Sequence, residues 1–205
     1  MVVIAVTGGI ACGKSSVCEM LAAELPKGRV AQFCSDRVVV ELLEDSDIQE
    51  RIEHIDADSA GGALFRGGLV QKVELRKRAF ENSHFREKLE SVLHPLVLDR
   101  ANQFREDSKA FADVVLMEVP LLYEVEFPLA RDLDLVVAAS AETQRQRLRK
   151  ERQLETEMAD HMIGAQLPIE EKIVRGDIVV WNDSHRDVLV EQINHLAERC
   201  QPLFN

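Results

Sequence analysis

A lysine and a serine close a glycine-rich decapeptide, TGGIACGKSS over residues 7–16, and that combination is suited to gripping a chain of phosphates. The stretch satisfies G-x-x-x-x-G-K-[ST], with Gly8, Gly9, Ala11, Cys12, Gly13, Lys14, Ser15 and Ser16 offering backbone and side-chain groups to a nucleotide. Glycines let the backbone turn until its N–H groups converge on phosphate oxygens. The helix expected to begin there favours negative charge at its N-terminus. Lys14 adds a positive charge for the β- and γ-phosphates, and the Ser15 hydroxyl is suited to Mg²⁺ bridging them. A glycine turn with a chance Lys-Ser is the competing reading; average composition produces the pattern in on the order of 1% of chains of this length. The residues therefore imply a nucleoside triphosphate bound with Mg²⁺.

Such a loop serves switches, motors, transporters and kinases alike. Asp58-Ser59-Ala60-Gly61 matches the D-x-x-G of a switch, but no apolar strand precedes it and the chain has no NKxD to read guanine. It also lacks an LSGGQ-like transporter signature, which leaves a small-molecule kinase. A kinase needs a carboxylate to orient and deprotonate the acceptor hydroxyl. Asp36 follows an apolar run at once, where the carboxyl end of a parallel strand meets ligands; the competing reading is a helix cap for VVVELL. Glu118 ends the apolar part of VLMEV, placed either to act near the metal through water or as an ordinary charge at a strand end. From 144 to 152, Arg145, Arg147, Arg149, Lys150 and Arg152 set five positive charges against one glutamate. That cluster reads as a solvated helix face or as a lid whose arginines close on the transferring phosphoryl group.

Elements must hold these residues in place. VVIAV (2–6), RVAQF (29–33), DVVLMEV (113–119), LDLVVAA (133–139) and DIVVW (177–181) are short, continuous apolar runs separated by helical spacing at 14–25, 36–44, 70–104, 141–165 and 185–199. This alternation predicts an α/β fold with a five-stranded parallel sheet covered on both faces. Residues 45–105 carry no strand signal: SAGGALFRGGL reads as a loop, and Phe85, Leu89, Val92, Leu93, Leu96 and Val97 form a helical stripe that Pro95 interrupts. This stretch and 144–166 are expected to be insertions on the core. The 205 residues are 46% hydrophobic and 30% charged, enough for a sizeable core, and a net charge of −11 argues against nonspecific binding to duplex nucleic acid or anionic membranes. Cys12, Cys18, Cys34 and Cys200 show no CxxC or zinc spacing and read as reduced thiols, and MVVIAV reads as a buried strand and not a signal. A cytoplasmic protein is expected.

Taken together, the motifs resemble the dephospho-CoA kinase family over nearly the whole chain. TGGIACGKSS is close to the family's TGGIGSGKS; LRKRAF (75–80), LHPLV (93–97), VPLLYE (119–124), ETQRQRL (142–148), AQLPIEEK (165–172) and GDIVVWN (176–182) follow in the family's order. The resemblance implies a three-layer P-loop kinase fold formed as one unit over 1–205, with a core of 1–44, 106–140 and 171–205, a helical CoA-binding insertion at about 60–105 and a lid at about 141–170. It implies ATP with Mg²⁺ as donor and the 3′-hydroxyl of dephospho-CoA as acceptor, in a monomer or small homo-oligomer. His94, Pro95, Leu121, Leu122 and Arg76 would serve the acceptor, Asn182 would lie near the adenine, and Arg147 and Arg152 would act from the lid. On the residues alone, His94 reads more readily as a core residue, core packing accounts for the two leucines, and Asn182 reads as a turn or cap residue. Three positions depart from the family. Its D-x-D is Cys34-Ser35-Asp36 here, its strand-end Asp is Glu118, and its lid arginine falls on Glu151. Another small-molecule kinase, or a weakly catalytic nucleotide-binding regulator, is the alternative reading.

Overall fold

The computed structural model describes residues 1–25, 29–57, 64–125 and 127–200. Its first half runs β1 (Val2–Gly8), α1 (Lys14–Glu24), β2 (Val30–Cys34), α2 (Ser35–Leu42), α3 (Ser46–Ala57), β3 (Phe65–Arg66), β4 (Leu69–Val70), α4 (Lys72–Glu81) and α5 (Ser83–Ser108). The second half runs β5 (Val114–Glu118), β6 (Leu133–Ala138), α6 (Ala141–Arg152), α7 (Thr156–Gly164), α8 (Ile169–Arg175), β7 (Ile178–Trp181) and α9 (Arg186–Cys200).

All five apolar runs become strands of one parallel sheet in the order β2-β5-β1-β6-β7. β5 is buried at every residue and β1 from Val3 onward, which is why both strands read as unbroken hydrophobic runs. One face packs Ile4, Val6, Leu116, Leu135 and Val137 against Val17 and Leu21 of α1 and Leu189, Ile193 and Leu196 of α9. The register sets Val6 beside Glu118 and Gly8 beside Val137, so β1 ends level with the carboxyl ends of its neighbours. Ligands of open parallel sheets bind at that edge. The outer strand β7 is blunted by Gln192, whose amide accepts from the Trp181 N–H and donates to the Trp181 carbonyl, both at 3.0 Å. No helix among the described residues is long and apolar enough to cross a membrane.

The chain divides into two compact units: residues up to Cys34 together with those from Gln103 onward, and Ser35–Asn102. The first contains the sheet. In the second, Phe85, Leu89, Leu93 and Val97 of the expected stripe are buried, together with Leu42, Ile52, Leu64 and Leu75. Arg78 pairs with Asp56 there and stands over the Phe85 ring, 5.9 Å from its centroid.

Three details differ from the sequence reading. Pro95 does not interrupt the stripe: α5 continues through it, since the buried face outweighs one lost backbone hydrogen bond. Residues 45–105 do contain strands, because Phe65 pairs with Val70 and Arg66 with Leu69 in a hairpin too short to show a period. The single helical stretch expected over 141–165 is two helices, parted where Gln153 turns left-handed with φ 54°. Asp58 to Gly61, the D-x-x-G match, lies outside the described residues.

Candidate active site

The loop between β1 and α1 is shaped by its backbone. Gly13 caps α1 at φ 89°, and an added Cβ would lie 2.5 Å from the Asn182 amide nitrogen. Gly8 passes so close to the Val137 carbonyl that any side chain would collide with it. No side chain caps α1, whose first-turn N–H groups remain available to an anion. Lys14 is buried and donates to the carbonyls of Gly9 at 3.0 Å and Gly8 at 3.4 Å, folding its ammonium over the loop. Ser15 and Ser16 are exposed on the first turn.

Cys12 contributes through its main chain. Its side chain is fully buried, and burial raises the thiol pKa against the opposing charge of Lys14. Its N–H donates to the Gly9 carbonyl and its carbonyl accepts from Asn182 Nδ2 at 2.8 Å. Ala11 adopts a left-handed φ of 56°, and its carbonyl accepts from Arg147 Nη1 at 3.1 Å. The same guanidinium donates to the Asn182 carbonyl at 2.7 Å. Arg147 and Asn182 thus meet at the loop, each bonded to its carbonyls, and Asn182 is itself 8% exposed.

Glu118, the last residue of β5, is 7% exposed and accepts a hydrogen bond from the Ser15 hydroxyl at 2.9 Å. A hydroxyl and a carboxylate side by side fit Mg²⁺, a hard cation that takes one or two protein oxygens, retains waters and binds phosphates. Among the described residues no three His, Cys, Asp or Glu side chains form a metal-binding group, and a phosphate-held Mg²⁺ needs none.

Two glutamines and a lysine complete the loop's surroundings without having been singled out in the sequence. Ile10 donates its N–H to Gln166 Oε1 at 2.7 Å, and its carbonyl accepts from Gln144 Nε2 at 2.8 Å. Both polar groups of one loop residue are therefore held by the two ends of the α6–α7 segment. Lys172 of α8 is fully buried and donates to the carbonyls of Gly8 and Pro120. The sequence signals for these contacts were the ETQRQRL and AQLPIEEK resemblances alone, because a polar residue in a helical pattern does not show what it bonds.

The remaining candidates are placed as follows. Arg152 ends α6 and is exposed, as is Glu151 beside it, while Arg145 pairs with Asp160 of α7. Leu121 and buried Leu122 lie in the turn after β5. In the Ser35–Asn102 unit, Asp36 is exposed within the first turn of α2 and is not the residue before the helix; Arg76 is exposed on α4; His94 is half-buried on α5 and Pro95 beside it is exposed.

Comparison with known proteins agrees with this geometry. A family model described as dephospho-CoA kinase matches residues 2–187. A dephospho-CoA kinase of Fusobacterium nucleatum is 30% identical over 198 residues, covering 97% of this chain and 98% of its own. One from Bacillus cereus is 33% identical, with 89% and 88% covered. A crystal structure of a Thermus thermophilus protein superposes with a TM-score of 0.78 at 26% identity, covering 100% of this chain and 98% of that one. The fold is shared with a Campylobacter jejuni dephospho-CoA kinase, TM-score 0.67 at 20% identity over 98% and 97% of the two chains. This chain belongs to the dephospho-CoA kinase family of P-loop kinases.

Proposed function

We propose that this chain transfers the γ-phosphoryl group of ATP to the 3′-hydroxyl of dephospho-CoA, giving coenzyme A and ADP as the last step of CoA synthesis. The observation that carries the reading is the P-loop with Lys14 folded over it and Ser15 bonded to Glu118 at the carboxyl edge of the sheet. The loop N–H groups and Lys14 bind the β- and γ-phosphates and spread the charge that develops between them. Ser15, with Glu118 behind it, would hold Mg²⁺ bound to the same phosphates, and Mg²⁺ supplies further neutralisation of that charge. Asp36, two residues beyond the end of β2, accepts the proton of the 3′-hydroxyl. The new bond joins that oxygen to the γ-phosphorus as the bond to the bridging oxygen breaks and ADP leaves.

Arg147 is assigned to the donor site, supported by its bonds to Ala11 and Asn182, and Arg152 to closure over the phosphoryl group. Asn182 lies beside them as part of the ATP site. Leu121 and Leu122 are assigned to the acceptor, as are Arg76, His94 and Pro95, with residues of about 60–105 taken as the CoA-binding insertion and about 141–170 as the lid. A cytoplasmic setting suits the substrates and the reduced thiols.

The test follows ADP release from ATP and Mg²⁺ with dephospho-CoA present or omitted. Release that depends on dephospho-CoA, with product mass raised by one phosphate, is expected; release independent of it points to another acceptor, and no release to a nucleotide-binding regulator. Asp36→Asn is expected to lower kcat by about 10²–10⁴-fold with ATP affinity retained. Unchanged turnover would remove Asp36 from the chemistry.

A further inference from the structure

Lys172 has 0% of its side chain exposed, an expensive place for an ammonium group. Its Nζ lies 2.6 Å from Glu124 Oε1, 3.0 Å from the Pro120 carbonyl and 3.3 Å from the Gly8 carbonyl. Glu124 Oε1 also accepts from the Leu167 N–H at 3.1 Å, while its Oε2 is buried without a hydrogen-bond partner among the described residues. An ion pair buried this way is a poor source of stability, because desolvation offsets the attraction and an apolar pair of equal volume does as well. Position is what it supplies. Gly8 is the last residue of β1 and opens the phosphate loop; Pro120 opens the turn after β5 that carries Leu121 and Leu122. The Thr7 hydroxyl donates to the same Pro120 carbonyl at 3.2 Å, tying that turn to β1 a second time.

Lys14 also donates to the Gly8 carbonyl, at 3.4 Å, so two ammonium groups share one acceptor. When Lys14 turns toward the phosphates of ATP, Gly8 keeps Lys172 as its donor and the loop does not have to rearrange. We propose that Lys172 is a positioning residue for phosphoryl transfer: braced by Glu124, it fixes the phosphate loop at Gly8 against the Pro120–Glu124 turn. This rests on the kinase reading above. The lead-in to α8 acts the same way through Gln166 on the Ile10 N–H. A preorganised loop stabilises charge developing in the transition state more than it improves ground-state binding, so the effect belongs in kcat.

The experiment compares wild type, K172M, E124Q and K172M/E124Q by thermal unfolding, by steady-state kinetics with dephospho-CoA and by ADP release from ATP alone. K172M leaves a buried carboxylate unpaired and is expected to unfold at a lower temperature. The double variant removes both charges and is expected to recover near wild-type unfolding, with kcat lower by on the order of 10²-fold and KM for ATP within about threefold. Recovery of both stability and kcat in the double variant overturns the proposal, since the pair would then only hold the fold. Should the double variant not fold, E124Q decides: it keeps the ammonium and both carbonyl contacts, so kcat within about tenfold of wild type is expected and a loss of 10²-fold overturns it. If wild type ignores dephospho-CoA, the function reading falls, and the same comparison in ADP release from ATP alone judges Lys172.

Discussion

Lys14 combines two conditions at one residue: it is buried, and its ammonium donates to the neutral carbonyls of Gly8 and Gly9 in its own loop. Phosphate oxygens are stronger partners for an ammonium than carbonyls, so binding ATP draws the side chain over with little movement of the backbone. Lys14→Ala is expected to lower kcat/KM by roughly 10²–10³-fold, the scale of losing one preorganised charge donor. A steady-state assay checks this, and a kcat/KM near wild type would remove Lys14 from phosphate binding. Cys12 shows the opposite logic. Its thiol lies in the heart of the loop, yet burial keeps it protonated and out of the chemistry, and only its main chain serves.

Between elements, the joint that matters is where β7 and β6 leave the sheet and α6 begins. Ser140 caps α6, accepting from the Thr143 N–H at 3.2 Å, and Asp183, just past β7, accepts from the Ser140 N–H at 2.8 Å and from Trp181 Nε1 at 3.0 Å. Burial pushes the Asp183 pKa up, but the hydrogen bonds from Ser140, Thr143 and Trp181 outweigh it and hold the carboxyl below its ordinary 3.8. A depressed carboxylate stabilises the fold above that value, and the contribution is lost as pH falls through the folded-state pKa. Asp183→Asn is therefore expected to cost about 1 kcal/mol at pH 7, a figure reduced for solvent screening, and much less at pH 3. Urea unfolding midpoints of both proteins at the two pH values read this directly; an equal gap at both would show that the charge is not its source.

On the scale of the molecule, an acidic chain with a net charge of −11 binds a polyanion through a small basic centre. Lys14 and Arg147 both donate to carbonyls of the phosphate loop, which puts two positive charges at the site within an acidic chain. Binding to the folded state alone stabilises it by about 2.7 kcal/mol when ligand is 100 times its Kd. For a chain of this size each kcal/mol raises Tm by roughly 2–4 °C. ATP with Mg²⁺ at that excess should raise Tm by about 5–10 °C in wild type and by much less in Lys14→Ala, as calorimetry would show. A shift of equal size in both would place the nucleotide elsewhere.

The strands, their parallel order of burial and the phosphate loop were legible in the chain because each rests on local chemistry. Continuous β-branched runs such as VVIAV can only be buried on both faces, and Gly8 to Ser15 folds around its own backbone. Glu118 was legible as a strand-end acid but not as the partner of Ser15, which lies 103 positions away and meets it only through the pairing of β1 with β5. Gln144, Gln166 and Lys172 carried no periodic or compositional signal, and their work on Ile10, Gly8 and Pro120 came into view only once α6 and α8 were folded against the sheet. Pro95 was misjudged for the same reason, since a buried stripe of Phe85, Leu89, Leu93 and Val97 holds a helix together through a residue that would break an isolated one. Local sequence settles how the backbone turns and which faces are apolar; only tertiary packing settles which distant polar group meets which, because a buried donor or acceptor takes the partner that the fold brings to it.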